Sequence, residues 1–118
     1  MAIKIPGLDV EKALDLYDDD EEIYQAVLKS YVDNMPDALK ILRNVSAETL
    51  QEYYIKAHGI KGTSANIGAE DLRQLAGKME ILAKSGDLQG VLAENHVFIK
   101  HVEDLLVNIQ KWLDENNS

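Results

Sequence analysis

The sequence predicts an all-α fold: an antiparallel four-helix bundle with an additional short N-terminal helix. Three observations lead there. Apolar residues recur at i, i+3, i+4 and i+7 along most of the chain, the spacing of one helix face. No segment alternates apolar and polar residues and no hairpin dipeptide occurs, so nothing reads as a strand. The connections between periodic segments are short, which sets consecutive helices antiparallel. With 118 residues, 46% of them hydrophobic, the chain suits one domain with one core, taken as residues 1–118.

The elements follow in order. "LDVEKALDLY" (8–17) comes after Pro6-Gly7 and makes the short helix, with Asp9 as its N-cap. "EEIYQAVLKSYVDNM" (21–35) sets Ile23, Ala26, Val27, Leu28 and Tyr31 around one side. Pro36 lacks an N–H and crowds the preceding turn, so it is expected to kink or restart the helix. "PDALKILRNV" then continues with Leu39, Ile41 and Leu42. Ser46, with Glu48 and Thr49, marks the start of the next helix, which should end at Gly68, a C′ glycine. "AEDLRQLAGKMEILAKSG" carries the stripe Leu72, Leu75, Ala76, Met79, Leu82, Ala83 and stops at Gly86. Asp87 caps the last helix, whose seam runs Val91, Leu92, Asn95, Phe98, Ile99, Val102, Leu105, Leu106, Ile109, Trp112, Leu113. Asn95 is the polar exception in that seam and is expected to be hydrogen-bonded locally.

Composition narrows the function classes. The absence of cysteine excludes disulfides, thiolate nucleophiles and Cys-based zinc sites, and it suits a reducing cytoplasm. No apolar run exceeds three residues, whereas a membrane span needs about 20, and "MAIKIPGL" lacks the apolar stretch of a signal peptide. The expectation is a soluble, untargeted, cytoplasmic protein with no membrane contact. The formal charge of −9, from 12 basic and 21 acidic residues, opposes nucleic-acid binding. Those acids are unevenly placed. From Tyr53 to Ala69 there is no Asp or Glu, and the window holds Lys56, His58 and Lys61. It is a locally less negative patch where an anion or an acidic partner could approach.

That window, "YYIKAHGIKGTSANIGA", raises a question of its own. Gly59 and Gly62 sit inside a helical segment, where each glycine costs about 1 kcal/mol relative to alanine. Leu50, Tyr53, Ala57, Ile60, Ser64 and Ile67 form the core face. At about 100° per residue His58 then projects roughly 130° from the centre of that stripe, toward solvent. Its face-mates are Gln51, Tyr54, Ile55, Lys61, Gly62 and Ala65. Helical side chains lean toward the N-terminus, so a side chain at 62 would lie across the imidazole and glycine leaves the ring uncovered. Gly59 clears the flank, Ala65 keeps the next turn low, and Lys61 brings an ammonium group to the same space.

Other chemistry fails on spacing. A di-iron bundle needs Glu-x-x-His, and the residues three before the histidines are Ile55, Ala93 and Phe98. His96 and His101 are too far around one helix to share a metal, and both read as surface residues. No Walker loop or dinucleotide fingerprint occurs, so no ATP-dependent kinase activity, cofactor or metal is expected.

The run "AHGIKGTSANIGAEDL" resembles the histidine-containing phosphotransfer (HPt) domain family. The resemblance rests on His58, Lys61, Gly62, Thr63 with Ser64, and Gly68-Ala69, and extends to "KMEILAKSGDL" and to the opening "GLDVEKAL". Gly59 departs from the pattern, since a larger residue often follows the histidine. What the resemblance implies is a phosphorelay intermediate. His58 would accept a phosphoryl group from the aspartyl-phosphate of a receiver domain and pass it to another receiver aspartate. Lys61 would stabilise the charge in flight. The implied partners are receiver domains of response regulators or hybrid histidine kinases, which would supply Mg²⁺ to a monomeric carrier. Docking is expected on the face of Tyr54, Ile55, Gly59, Gly62 and Ala65, with Lys56 at or near its rim. Two alternatives stay open: a non-transferring module that binds a receiver, and a domain phosphorylated directly by a kinase, of the chemotaxis-kinase type.

Overall fold

The computed structural model describes residues 3–116. Five helices follow in order: α1 (Val10–Asp15), α2 (Glu21–Arg43), α3 (Leu50–Ile67), α4 (Glu70–Lys84) and α5 (Leu88–Asn116). The described residues contain no strand. Each of the four long helices packs on two others, α2 on α3 and α5, α4 on α3 and α5, while α1 lies against α2 and α3. The result is the expected four-helix bundle with a short helix added at its N-terminal side.

Local chemistry sets most boundaries as the sequence suggests. Asp9 caps α1 by accepting from Lys12 N–H, and Asp20 does the same for α2 from Ile23 N–H. Asp18 and Asp19, with φ of 52° and 60°, turn the chain between these helices in the left-handed region that Asp tolerates. Gly68 ends α3 at φ +83°, and Asp87 starts α5 by accepting from Gly90 N–H.

Four expectations are corrected. Pro36 does not restart the helix: α2 runs unbroken from Glu21 to Arg43 with the proline on its exposed side, where water can serve the carbonyl that its missing N–H leaves. The buried seam of α2 is Tyr24, Leu28, Tyr31, Met35, Ala38, Leu39 and Leu42, whereas Ile23 and Ala26 face solvent. A tyrosine takes the inward place of an isoleucine because its hydroxyl has a task, given below. α3 begins at Leu50 rather than near Ser46, because residues 47–49 form a separate turn, closed by Thr49 N–H donating to the Ser46 carbonyl at 3.2 Å.

Asn95 is the fourth correction. Its hydrogen bonds are not local but tie three helices. Tyr53 of α3 donates to Asn95 Oδ1 at 2.7 Å, and Asn95 Nδ2 donates to the Leu42 carbonyl of α2 at 2.8 Å. That carbonyl belongs to the last turn of α2, where intrahelical donors run out. The other end of α3 is closed as fully. Ala69 and Gly68 N–H groups donate to Ser64 and Ala65 carbonyls. Tyr17 donates to Asn66 O and Tyr24 to Ile67 O, each at 2.8 Å, and Asp9 N–H donates to Gly68 O at 2.8 Å. Burial pushes the Tyr24 and Tyr53 hydroxyls above their ordinary range, so both stay protonated and keep donating.

Replacing Asn95 with Ala therefore strands a buried tyrosine hydroxyl and a helix-terminal carbonyl. The expected loss is about 2–4 kcal/mol of stability. Urea unfolding at constant m-value measures it, and an unchanged midpoint would mean the tie carries no stability.

Candidate functional site

The site is built from the outer face of α3 and one residue of α4. His58 stands on α3 with its side chain 63% exposed, and its Nδ1 lies 2.8 Å from Glu80 Oε1. Lys61, one turn on, brings Nζ to 2.7 Å from Glu80 Oε2. One carboxylate thus bridges the imidazole and the ammonium. Glu80 itself is only 9% exposed, sitting beside the inward stripe of Leu72, Ala76, Met79 and Ala83.

The electrostatics fix the imidazole's proton. The Lys61 hydrogen bond holds the Glu80 carboxyl below the ordinary carboxylate range; burial pushes it up, and the His58 contact helps pull it down. An ionised carboxylate can only accept hydrogen bonds. His58 Nδ1 must therefore carry a proton and donate, so in the neutral imidazole the lone pair lies on Nε2. An exposed ring whose inner nitrogen is tied and whose outer nitrogen is nucleophilic is oriented for attack on an electrophile from solvent.

The surroundings keep that approach open. A Cβ added at Gly59 or Gly62 would meet nothing within 4 Å. This also corrects one expectation: an alanine at 62 would not touch the imidazole, so only a longer side chain could cover it. Tyr54, half-buried, flanks the ring at a centroid distance of 6.4 Å, and Ile55 is 56% exposed. Gly59, Gly62 and Ala65 are exposed. Lys56 does not join this face. Two residues before His58, it lies roughly 160° around the helix and is half-buried. Of the hydroxyl pair, Thr63 donates back to the Gly59 carbonyl and Ser64 points into the core.

Glu80 is the residue of the candidate site that sequence reasoning missed. The window from 53 to 69 is acid-free along the chain but not in space, because α4 delivers a carboxylate to its middle. The available signal was a single acid at the edge of a buried stripe, in "KMEIL". Among the described residues no group of three His, Cys, Asp or Glu side chains could hold a metal. No helix among them is long and apolar enough to cross a membrane. His96 and His101 line a surface groove on α5 with Pro6 and Gly7.

An all-α bundle that presents one oriented, solvent-facing imidazole has the architecture of a phosphocarrier rather than of an ATP-binding kinase. Residues 26–115 match the Hpt domain model, and the chain belongs to that family. It is similar to the phosphorelay intermediate protein rdeA of Dictyostelium discoideum, 27% identical over 113 residues. The match takes in 92% of this chain and 44% of the relative, so the chain spans less than half of that protein's length. No solved structure gives a significant match.

The Glu80 geometry has a pH signature. Its folded-state pKa is depressed, so its contribution to stability is full above the ordinary carboxylate value of 4.5 and is lost as pH falls through the depressed one. Glu80→Gln should flatten that acid limb and leave the slope above pH 5 unchanged. Urea melts between pH 2 and 7 report it; a mutant with the wild-type acid limb would mean Glu80 is not held in its charged form.

Proposed function

We propose that this protein is a phosphorelay intermediate, acting as a monomer in the cytoplasm with residues 1–118 as one domain. His58 takes a phosphoryl group from the aspartyl-phosphate of a receiver domain and gives it to an aspartate of another receiver. The observation that carries this reading is the Nδ1–H···Glu80 hydrogen bond, which leaves Nε2 as the nucleophile on an exposed ring.

The step balances without a general base. The Nε2 lone pair forms the N–P bond while the P–O bond to the aspartate breaks and the aspartate leaves as a carboxylate. The ring keeps its Nδ1 proton and becomes cationic, and the Glu80 carboxylate faces that charge. Phosphoryl transfer otherwise asks chiefly for positioning and for cations near the equatorial oxygens. Lys61 supplies one of these and the receiver its Mg²⁺. Docking uses Tyr54, Ile55, Gly59, Gly62 and Ala65. Apolar burial there sets affinity at roughly 25 cal/mol per Å² before association costs. Charge around the patch governs rate and partner choice. Lys56 is left out of the contact by its place on the helix.

Two experiments test the reading. Incubation with a phosphorylated receiver should label wild type and not His58→Gln, and NMR of the product should find phosphorus on Nε2. Label retained in the variant, or phosphorus on Nδ1, would sink the assignment. Separately, Gly62→Ala should raise stability by about 1 kcal/mol through helix propensity, with little loss of transfer. Gly62→Leu, long enough to reach over the ring, should slow single-turnover transfer on the order of tenfold or more. A leucine variant that transfers at the wild-type rate would mean that the glycine does not serve access.

A further inference from the structure

α4 contains a glycine with no conformational reason to be one. Gly77 lies mid-helix, away from either end, and its φ is not positive. Glycine in that setting weakens a helix, so an explanation has to come from what lies over it. A Cβ built at Gly77 points at the Lys61 side chain, 3.5 Å from Cδ. Glu80, the acceptor for the Lys61 ammonium at 2.7 Å, stands three residues on along the same side of α4. The lysine stem therefore crosses α4 at the bare position and its charged end reaches the carboxylate beyond. The side chain is 36% exposed, so most of the stem is covered along this path.

We propose that Gly77 is a positioning residue: a seat cut into α4 that holds the Lys61 stem and so delivers its ammonium to the carboxylate shared with His58. A long, flexible lysine otherwise samples many rotamers, and a groove beneath its stem removes most of them before any partner arrives. The seat tolerates a methyl group, since 3.5 Å is ordinary contact, but not γ carbons, which would occupy the space of the lysine methylenes. Gly77 touches neither His58 nor an incoming phosphoryl group and acts only through Lys61.

The test has two arms. One rests on the phosphocarrier reading above and the other does not. In the independent arm, ¹³C NMR follows titration of the Glu80 carboxyl. Gly77→Ala should titrate as wild type. Gly77→Val should move the midpoint upward, in the direction of Lys61→Ala, because the donor that holds it down is displaced. Added to Lys61→Ala, the valine should change nothing further. In the dependent arm, single-turnover transfer from a phosphorylated receiver at saturation should be unchanged in Gly77→Ala. It should fall about tenfold or more in Gly77→Val, and show no added loss in the double variant. Should the valine variant not fold, Gly77→Leu reaches the same seat without β-branching and gives both readings. The seat is refuted if the valine leaves the Glu80 midpoint in place, or if it acts equally strongly without Lys61. If wild type accepts no phosphoryl group, the phosphocarrier reading fails and the titration still decides the seat.

Discussion

A carboxylate almost cut off from water stays charged only where donors replace its hydration, and the whole site follows from how Glu80 meets that condition. It has two donors, one on each oxygen, and both come from the neighbouring helix. Lys61 secures the charge, and the charge decides which imidazole nitrogen holds the proton. The nitrogen of His58 that holds the proton is thus determined by a residue that is itself nearly buried. Because the three groups belong to two helices, the arrangement is as rigid as the α3–α4 packing beneath it.

That packing is held at both ends of α3. At the start, Tyr53 reaches Asn95, which in turn reaches the end of α2. At the finish, each of the last carbonyls, from Ser64 to Gly68, has a donor. Such closure matters because an unpaired terminal carbonyl invites fraying, and fraying would loosen the turn that carries Lys61 and Gly62. The middle of α3 can then carry two glycines without losing its shape.

The same division explains what could be read from the sequence. Periodicity found all five helices, and the outward angle of His58 with its bare neighbours was visible because both are properties of one helix. Contacts between helices were not. Glu80 sits 22 residues from His58, and nothing in one-dimensional spacing marks it as a neighbour. Asn95 looked like a local exception because its partners lie 42 and 53 residues away. Tyr24, not the adjacent Ile23, is in register with the buried stripe Leu28, Tyr31 and Met35, and its hydroxyl there reaches the Ile67 carbonyl. Pro36 does not restart its helix because it faces solvent in a helix whose other turns pack well. Lys56, expected at or near the rim of the docking face, lies roughly 160° around α3 from His58.

The segment ahead of residue 26 belongs to the same folding unit as the site. The family-model match begins at residue 26, the likeness to the Dictyostelium relative, over 92% of the chain, reaches ahead of it, and Asp9, Tyr17 and Tyr24 there supply the donors that close the end of α3. The backbone at Asp9 also approaches Gly68 so closely that any Cβ there would collide with it. A stretch of chain near the N-terminus has thus imposed a glycine at the end of α3. Such a segment works as a clasp: taking it away would leave the Asn66, Ile67 and Gly68 carbonyls without their donors.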